Sequence, residues 1–180
     1  METTAFLHPA AALRAAGIHE GMQVADLGAG SGFFTRAAAR EVGEGGVVWA
    51  VDINKELLPR IKNLAGAEGL ANVEVIHGDI EAVGGTPLPA NHFDMVILAN
   101  VLFMLREKGE ALAEMRRIMK KTGRGVIIDW QDSFGGLGPH PDHVLDAAAG
   151  KKLIESHGLD VLGTLHAGGY HWGFVVRKKA

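Results

Sequence analysis

The chain has 180 residues, 47% hydrophobic and 22% charged, which excludes wholesale disorder and suits one domain with its own core. A net charge of -3 offers no basic excess for tracking phosphates, and the absence of cysteine excludes disulfides, thiolate zinc sites and thiol nucleophiles. The longest near-apolar run, Phe93 to Leu105, is broken by Asp94 and Asn100 and is too short for a bilayer; with no secretory layout at the amino terminus, a cytoplasmic protein is expected.

Val24 to Leu27 reads as a buried strand that runs into Gly28, Gly30 and Gly32. Ser31 to Val42 follows as a helix rich in alanine, stopped by Gly43, Gly45 and Gly46. Val47 to Val51 is a second strand, closed by Asp52. Asn54 is expected to cap the next helix, in which Leu57, Leu58, Ile61, Leu64 and Ala65 share a face and Pro59 sits in the early turns. Val73 to Ile76 makes a third strand ending at Gly78-Asp79, and Phe93 to Ala99 a fourth ending at Asn100. Glu107 to Lys121 reads as one amphipathic helix, with Ala111, Leu112, Met115, Ile118 and Met119 inward and Glu110, Glu114 and Arg117 outward. Gly125 to Trp130 is the fifth strand. The glycine- and proline-bearing stretch from Gln131 to Val144 separates it from a helix capped by Asp146 and closed by Gly158. Two strands, around Val161 and Phe174, flank the turn at Gly168-Gly169. This alternation predicts a single α/β domain over residues 1–180, a mostly parallel sheet covered on both faces with an antiparallel closing hairpin.

Right-handed crossovers bring the carboxyl ends of the parallel strands to one edge, where such sheets bind ligands. That edge gathers the Gly28-Ala29-Gly30-Ser31-Gly32 loop, Asp52, Asp79 and Asn100. Glycines let backbone N–H groups approach a ligand, in a chain whose 25 glycines are about twice the usual share. Asp52 stands 20 residues beyond Gly32, where a carboxylate can grip both hydroxyls of a ribose. Asp79 can accept from an exocyclic amine, so the set describes an adenosine site. A dinucleotide fingerprint would need glycine at position 33, which is Phe33.

The segment Val24-Ala25-Asp26-Leu27-Gly28-Ala29-Gly30-Ser31-Gly32 resembles the first motif of class I S-adenosylmethionine-dependent methyltransferases. Val51-Asp52-Ile53 resembles their second motif, His77-Gly78-Asp79-Ile80 their third, and Phe93 to Asn100 their fourth. Glu114 to Gly125 is similar to the segment entering strand five, with Thr122-Gly123-Arg124-Gly125 where Pro-Gly-Gly is common. The resemblance runs from about residue 18 to the end of the chain and is nearest to the ubiquinone/menaquinone-type branch that acts on small molecules. It implies a three-layer Rossmann-like domain with a seven-stranded sheet in the order 3-2-1-4-5-7-6. It also implies S-adenosylmethionine as cofactor and S-adenosylhomocysteine as product. Asp26 would then hold the methionine ammonium, and Gly28, Ala29, Gly30 and Gly32 would wrap the amino-acid end. Asp52 would take the ribose, with Ile53 on the adenine; Gly78, Asp79 and Ile80 would meet the adenine edge, and Asn100 the methionine end.

The acceptor is less legible, because methyl transfer from a sulfonium needs alignment more than a base. Asn100-Val101-Leu102-Phe103 lacks the paired prolines of amide and nucleobase N-methyltransferases, and an arsenite methyltransferase would need thiols. The expectation is a small-molecule acceptor, with no nucleic acid and no membrane as partner. The alternatives are a methyltransferase of RNA or protein and a non-catalytic subunit that binds S-adenosylmethionine. His140 and His143, in the loop after strand five, are the candidate general bases; His171 and His8 belong to the same wider set. His140, Asp142 and His143 lack a further metal partner, so no metal is expected. Trp130 and Phe134 are candidates for the pocket wall. Residues 1–17 are read as a lid, through Phe6, Leu7 and Pro9, or as an N-terminal helix.

Overall fold

Seven strands form one sheet, in the order β3-β2-β1-β4-β5-β7-β6. A computed structural model describes residues 6–180; residues 1–5 of the expected lid lie outside the described residues. The elements are α1 (Pro9–Ala16), β1 (Gln23–Leu27), α2 (Phe33–Val42), β2 (Val47–Asp52), α3 (Leu57–Ala67), β3 (Val73–His77), β4 (Phe93–Ala99), α4 (Lys108–Ile118), β5 (Met119–Trp130), α5 (Ala147–Ser156), β6 (Leu159–Thr164) and β7 (His171–Lys178). The first five strands pair in parallel; β7 returns antiparallel between β5 and β6. This is the Rossmann-like order expected from the resemblance.

Period-two alternation sends each strand's residues to two separate cores. Val24, Val48, Ala50, Met95, Ile97, Val126 and Ile128 pack beneath α1, α2 and α3. Ala25, Leu27, Val96, Leu98, Ile127, Trp172 and Phe174 pack against α4 and α5 on the other face. Asp26, Trp130 and His171 fall on the first face by the same alternation, near its upper edge. Helix α1 is tied to the same face at its opposite edge by Arg124, whose guanidinium donates to the Ala16 carbonyl at 3.1 Å.

Three local readings change. Helix α2 begins at Phe33, after left-handed Gly32 (φ 76°), and not at Ser31. Asn54 does not cap α3; its Oδ1 accepts from the Glu56 N–H at 3.0 Å in the preceding turn, and the cap position falls to Glu56. Pro59 occupies the third position of α3, where its missing N–H would have had no helical partner. The largest change is at the fourth helix, which stops at Ile118, so that Met119, Lys120 and Lys121 belong to β5. The ladder with β4 jumps from Phe93–Met119 to Met95–Arg124, a bulge that sets residues 120–123 against the single residue Asp94. Lys120 in this bulge donates to Asp94 Oδ1 at 2.6 Å.

Glu114 is also inverted relative to expectation: it is fully buried. Its carboxylate takes a two-pronged guanidinium from Arg117, Nε to Oε2 and Nη2 to Oε1, both at 2.7 Å. It also accepts the Gly84 N–H at 2.7 Å and the Thr86 hydroxyl. The loop between β3 and β4 is thereby clamped to α4. Burial opposes ionisation of Glu114, but the hydrogen bonds from Arg117, Thr86 and Gly84 outweigh it and hold the carboxyl below its ordinary range.

Candidate functional site

The turn after β1 is built from left-handed glycines, Gly28 (φ 72°), Gly30 (φ 55°) and Gly32 (φ 76°). At Gly28 a side chain is also sterically excluded, since a Cβ would lie 2.7 Å from Val101 Cγ2. The Gly28 and Ala29 N–H groups both donate to the Val51 carbonyl at 2.9 Å, which folds the loop over the end of β2. Asp52 completes the arrangement. Its Oδ2 accepts the Gly30 N–H and its Oδ1 the Asn54 N–H, each at 2.9 Å, so the carboxylate is held rigidly between two backbone segments.

Asp26, one strand over, is 2% exposed and accepts the Thr35 hydroxyl from α2 at 2.6 Å. Burial pushes its carboxyl up to about 6. Beyond β3, Asp79 accepts the Glu81 N–H at 2.9 Å, and its own N–H donates to the Gly85 carbonyl at 3.1 Å. Glu81 in turn accepts the N–H groups of Arg106 (2.6 Å) and Glu107 (2.9 Å), which draws the approach to α4 against this loop.

These groups line one cavity of about 690 Å³ along the carboxyl edge of the sheet. Asp26, Gly28, Ala29, Gly30, Asp52, Ile53, Gly78, Asp79, Ile80 and Asn100 all contribute to its wall. Gly32 stands behind the loop instead, where a Cβ would lie 3.1 Å from Ile61 Cγ2. Ile80 is buried, whereas Ile53 is 60% exposed at the rim with Phe6, Phe33 and Met104. Leu7 and Pro9 also reach the wall, so the described part of the N-terminal segment both lines the cavity and supplies α1.

The β4–β5–β7 end differs in character. Asn100 adopts the left-handed conformation (φ 56°) that asparagine tolerates better than most residues, and its N–H donates to the Ile128 carbonyl at 2.8 Å. Its Oδ1 is buried without a partner among the described residues, as are both ring nitrogens of His171. The His171 ring lies 4.3 Å from that of Trp130, centroid to centroid, and both line the cavity. Phe134 instead packs edge-on against Tyr170 at 4.9 Å. His140 and His143 do not line the cavity: both are exposed, their rings 6.0 Å apart, on the loop between β5 and α5. Among the described residues no group of histidines and carboxylates is arranged to hold a metal.

His171 is the residue the motif reading underweighted. An antiparallel last strand delivers its first residue, not its last, to the carboxyl edge, and Trp130–His171 is the terminal pair of the β5–β7 ladder. A histidine opening the final strand was the available signal.

The sheet order, the glycine turn and the acids closing the first three strands define a class I methyltransferase fold. The profile of the family described as "Methyltransferase domain" matches residues 18–156, and the chain belongs to that family. It is 34% identical over 119 residues to the ubiquinone/menaquinone biosynthesis C-methyltransferase UbiE of Cupriavidus necator, covering 64% of this chain and 46% of that protein. The UbiE of Laribacter hongkongensis is 33% identical over 127 residues, 71% of this chain and 50% of that protein. The chain thus spans about half the length of these curated relatives. The crystal structure of a SAM-dependent methyltransferase from Aquifex aeolicus superimposes with a TM-score of 0.86 at 30% identity, covering 96% of this chain and 90% of that one.

Proposed function

We propose that the chain is an S-adenosylmethionine-dependent methyltransferase acting on a small molecule. The observation that carries this reading is the chemistry of the wall. Asp26, Asp52, Asp79, Glu81 and the Asn100 carbonyl all offer acceptors, and no lysine or arginine lines the cavity among the described residues. Such a wall suits a ligand rich in donors and positive charge, and it repels the pyrophosphate of a dinucleotide. S-adenosylmethionine fits, with its ammonium, sulfonium, ribose hydroxyls and adenine amine. The four strand ends from β3 to β4 span about 14 Å at the usual strand spacing, a length that accommodates the extended molecule.

In this reading Asp26 and the backbone of Gly28, Ala29 and Gly30 hold the amino-acid end, with Gly32 setting the turn behind them. Asp52 uses its remaining lone pairs on the ribose hydroxyls. Asp79 meets the adenine amine beside Gly78, between the apolar surfaces of Ile53 and Ile80, and the Asn100 amide meets the methionine end. The bound cofactor supplies a methyl group already activated by positively charged sulfur. The chain's own work is to align the acceptor and exclude water, for which the apolar rim of Phe6, Leu7, Phe33 and Met104 is suited. His140 and His143, exposed and outside the cavity, are not assigned a part.

Calorimetry should show binding of S-adenosylhomocysteine and none of NADH. Asp52→Ala should weaken S-adenosylhomocysteine by about 2 kcal/mol, through lost charge-assisted hydrogen bonds and a loosened Gly30. Tight NADH binding without a response to S-adenosylhomocysteine would overturn the reading.

Methylation of RNA has one observation in its favour, a cleft lined by Arg116, Arg117, Lys121, Arg177, Lys178 and Lys179. It lies at the opposite edge of the sheet, where β5 begins and β7 ends, about 20 Å from the glycine turn by the length of β4. A small-molecule acceptor is therefore preferred. No helix among the described residues is long and apolar enough to cross a membrane, and a cytoplasmic location is part of the proposal.

A further inference from the structure

The cleft at the far edge of the sheet gathers six of the chain's 18 lysines and arginines, in a protein whose net charge is -3. Its volume is about 660 Å³, and three elements converge on it. Arg116 and Arg117 come from the last turn of α4, Lys121 from the bulge of β5, and Arg177, Lys178 and Lys179 from the end of β7 and the residue beyond. The backbone under them is fixed: the Lys179 N–H donates to the Gly158 carbonyl and the Asn91 N–H to the Arg117 carbonyl, each at 3.0 Å. Arg116 lies across Gly158, where a Cβ would stand 2.9 Å from its Nε. Arg117 is spent on Glu114, and Arg177 has Asp160 at 3.7 Å. Arg116, Lys121, Lys178 and Lys179 are in no ion pair among the described residues. Lys178 donates to Asn91 Oδ1 at 2.5 Å; burial, and then the charges of Arg116 and Lys121, push its ammonium below the ordinary range. These cations face one another at a cost. The dipole of α4 accounts for arginines in its last turn but not for the lysines of β5 and β7. Nor do the lysines of β7 guard an exposed edge, since that strand lies between β5 and β6.

We propose that this cleft binds a compact anion of linked phosphate groups, an inorganic polyphosphate or the polyphosphate tail of a nucleotide. The inference stands apart from the methyltransferase reading. An anion set among Arg116, Lys121, Lys178 and Lys179 replaces their mutual repulsion by attraction. Linked phosphates concentrate several charges and acceptor oxygens in a small volume, which suits both lysine ammoniums and the fork of Arg116. An acidic peptide instead brings single charges, about 7 Å apart along one face of an extended strand. Single-stranded RNA would want aromatic surfaces for its bases, and among the described residues none lines this cleft. At about 20 Å from the glycine turn, the occupant is a second ligand and not the methyl acceptor.

The test uses the full chain and tripolyphosphate at physiological ionic strength. Calorimetry should show one tripolyphosphate bound per chain, with orthophosphate at least about tenfold weaker. Lys121→Gln should weaken tripolyphosphate about tenfold, through the loss of one charge-assisted contact. Lys152→Gln, the same change of charge at an exposed position of α5, should leave its affinity within about twofold of the parent. In the parent, tripolyphosphate should raise the titration of the Lys178 ammonium, read from its side-chain nitrogen resonance. ATP that binds as tightly, with the same loss in Lys121→Gln, would make a nucleotide the source of the phosphates. ATP that binds about tenfold more weakly would make it inorganic polyphosphate, and either result agrees with the proposal. No tripolyphosphate binding, an unmoved Lys178 titration, or equal losses in the two variants would each overturn it. So would an oligouridylate or a hexaglutamate that bound more tightly than tripolyphosphate. The Lys178 readout needs no variant, so it decides the matter even if Lys121→Gln misfolds.

Discussion

Replacing Glu114 by alanine should lower the free energy of unfolding by about 3–5 kcal/mol, the range for breaking a buried charge pair from one side. Glu114 is fully buried, and four donors converge on it from Arg117, Gly84 and Thr86. The change would leave the buried Thr86 O–H and the Gly84 N–H without their acceptor. Arg117 is 25% exposed at its side chain and keeps the Leu88 carbonyl at 2.9 Å, so it recovers part of its solvation and places the effect toward the lower end. Urea unfolding monitored by far-ultraviolet dichroism would measure it, and a loss under 1 kcal/mol would contradict the clamp. Because the carboxyl titrates below its ordinary value, its contribution is full above that value and disappears as pH falls through the depressed one.

Asp26 works in the opposite sense. Burial raises its carboxyl to about 6 from an ordinary 3.8, against the hydrogen bonds from Thr35 and with a smaller push from the charge of Asp52. The folded protein therefore holds this proton more tightly than the unfolded chain. Its contribution is full below the ordinary value and is lost as pH rises through about 6, so at neutral pH the charged group costs the fold about 3 kcal/mol. Asp26→Asn keeps an oxygen for the Thr35 hydroxyl and cannot ionise. The variant should match the parent near pH 4 and exceed it by up to about 3 kcal/mol near pH 7, read from denaturant midpoints at the two values. Equal stability at both would contradict it. The cost falls on a residue of the cavity wall, the one proposed above to hold the amino-acid end of the cofactor.

The strand alternation and the antiparallel closing hairpin were legible because helices and strands were punctuated by glycine and carried different periods. The boundary between α4 and β5 was not. Met119 is buried at the start of the strand just as it would be at the end of a helix, so the apolar pattern is the same for both until the bulge before Arg124. Glu114 was misplaced because the donors that bury it, on Gly84 and Thr86, come from a loop about 30 residues away, beyond any helical spacing rule. Asp52 and Asp79 were legible because each stands at the end of a parallel strand, whereas Asp26, inside β1, came only with the family resemblance. The backbone partners of Asp52, Gly30 and Asn54, were invisible, since nothing in the spacing says that a carboxylate reaches back to the preceding loop. His140 and His143 drew attention through their loop chemistry, whereas the orientation of that loop depends on turns the pattern does not encode, at Phe134–Gly136 and Pro141–His143.

The reversed direction of β7 gives the molecule a division of labour with respect to mutation. Groups on β1, β2 and β3 come from one stretch of chain ending near residue 81, while His171 arrives from the far end of the sequence on a strand that runs the other way. The Leu165 N–H donates to the Gly173 carbonyl at 2.8 Å and the Gln131 N–H to the Tyr170 carbonyl at 2.9 Å. The segment leading into His171 is therefore held by β7 and the loop after β5, and among the described residues it shares no hydrogen bond with the glycine turn. Leu165 and Ala167 nonetheless belong to the core that holds β1 and α2, so changes between residues 165 and 171 are tolerated only where they spare those two buried positions. The two ends of the cavity thus rest on separate stretches of chain, and substitutions at one end leave the backbone hydrogen bonds of the other intact.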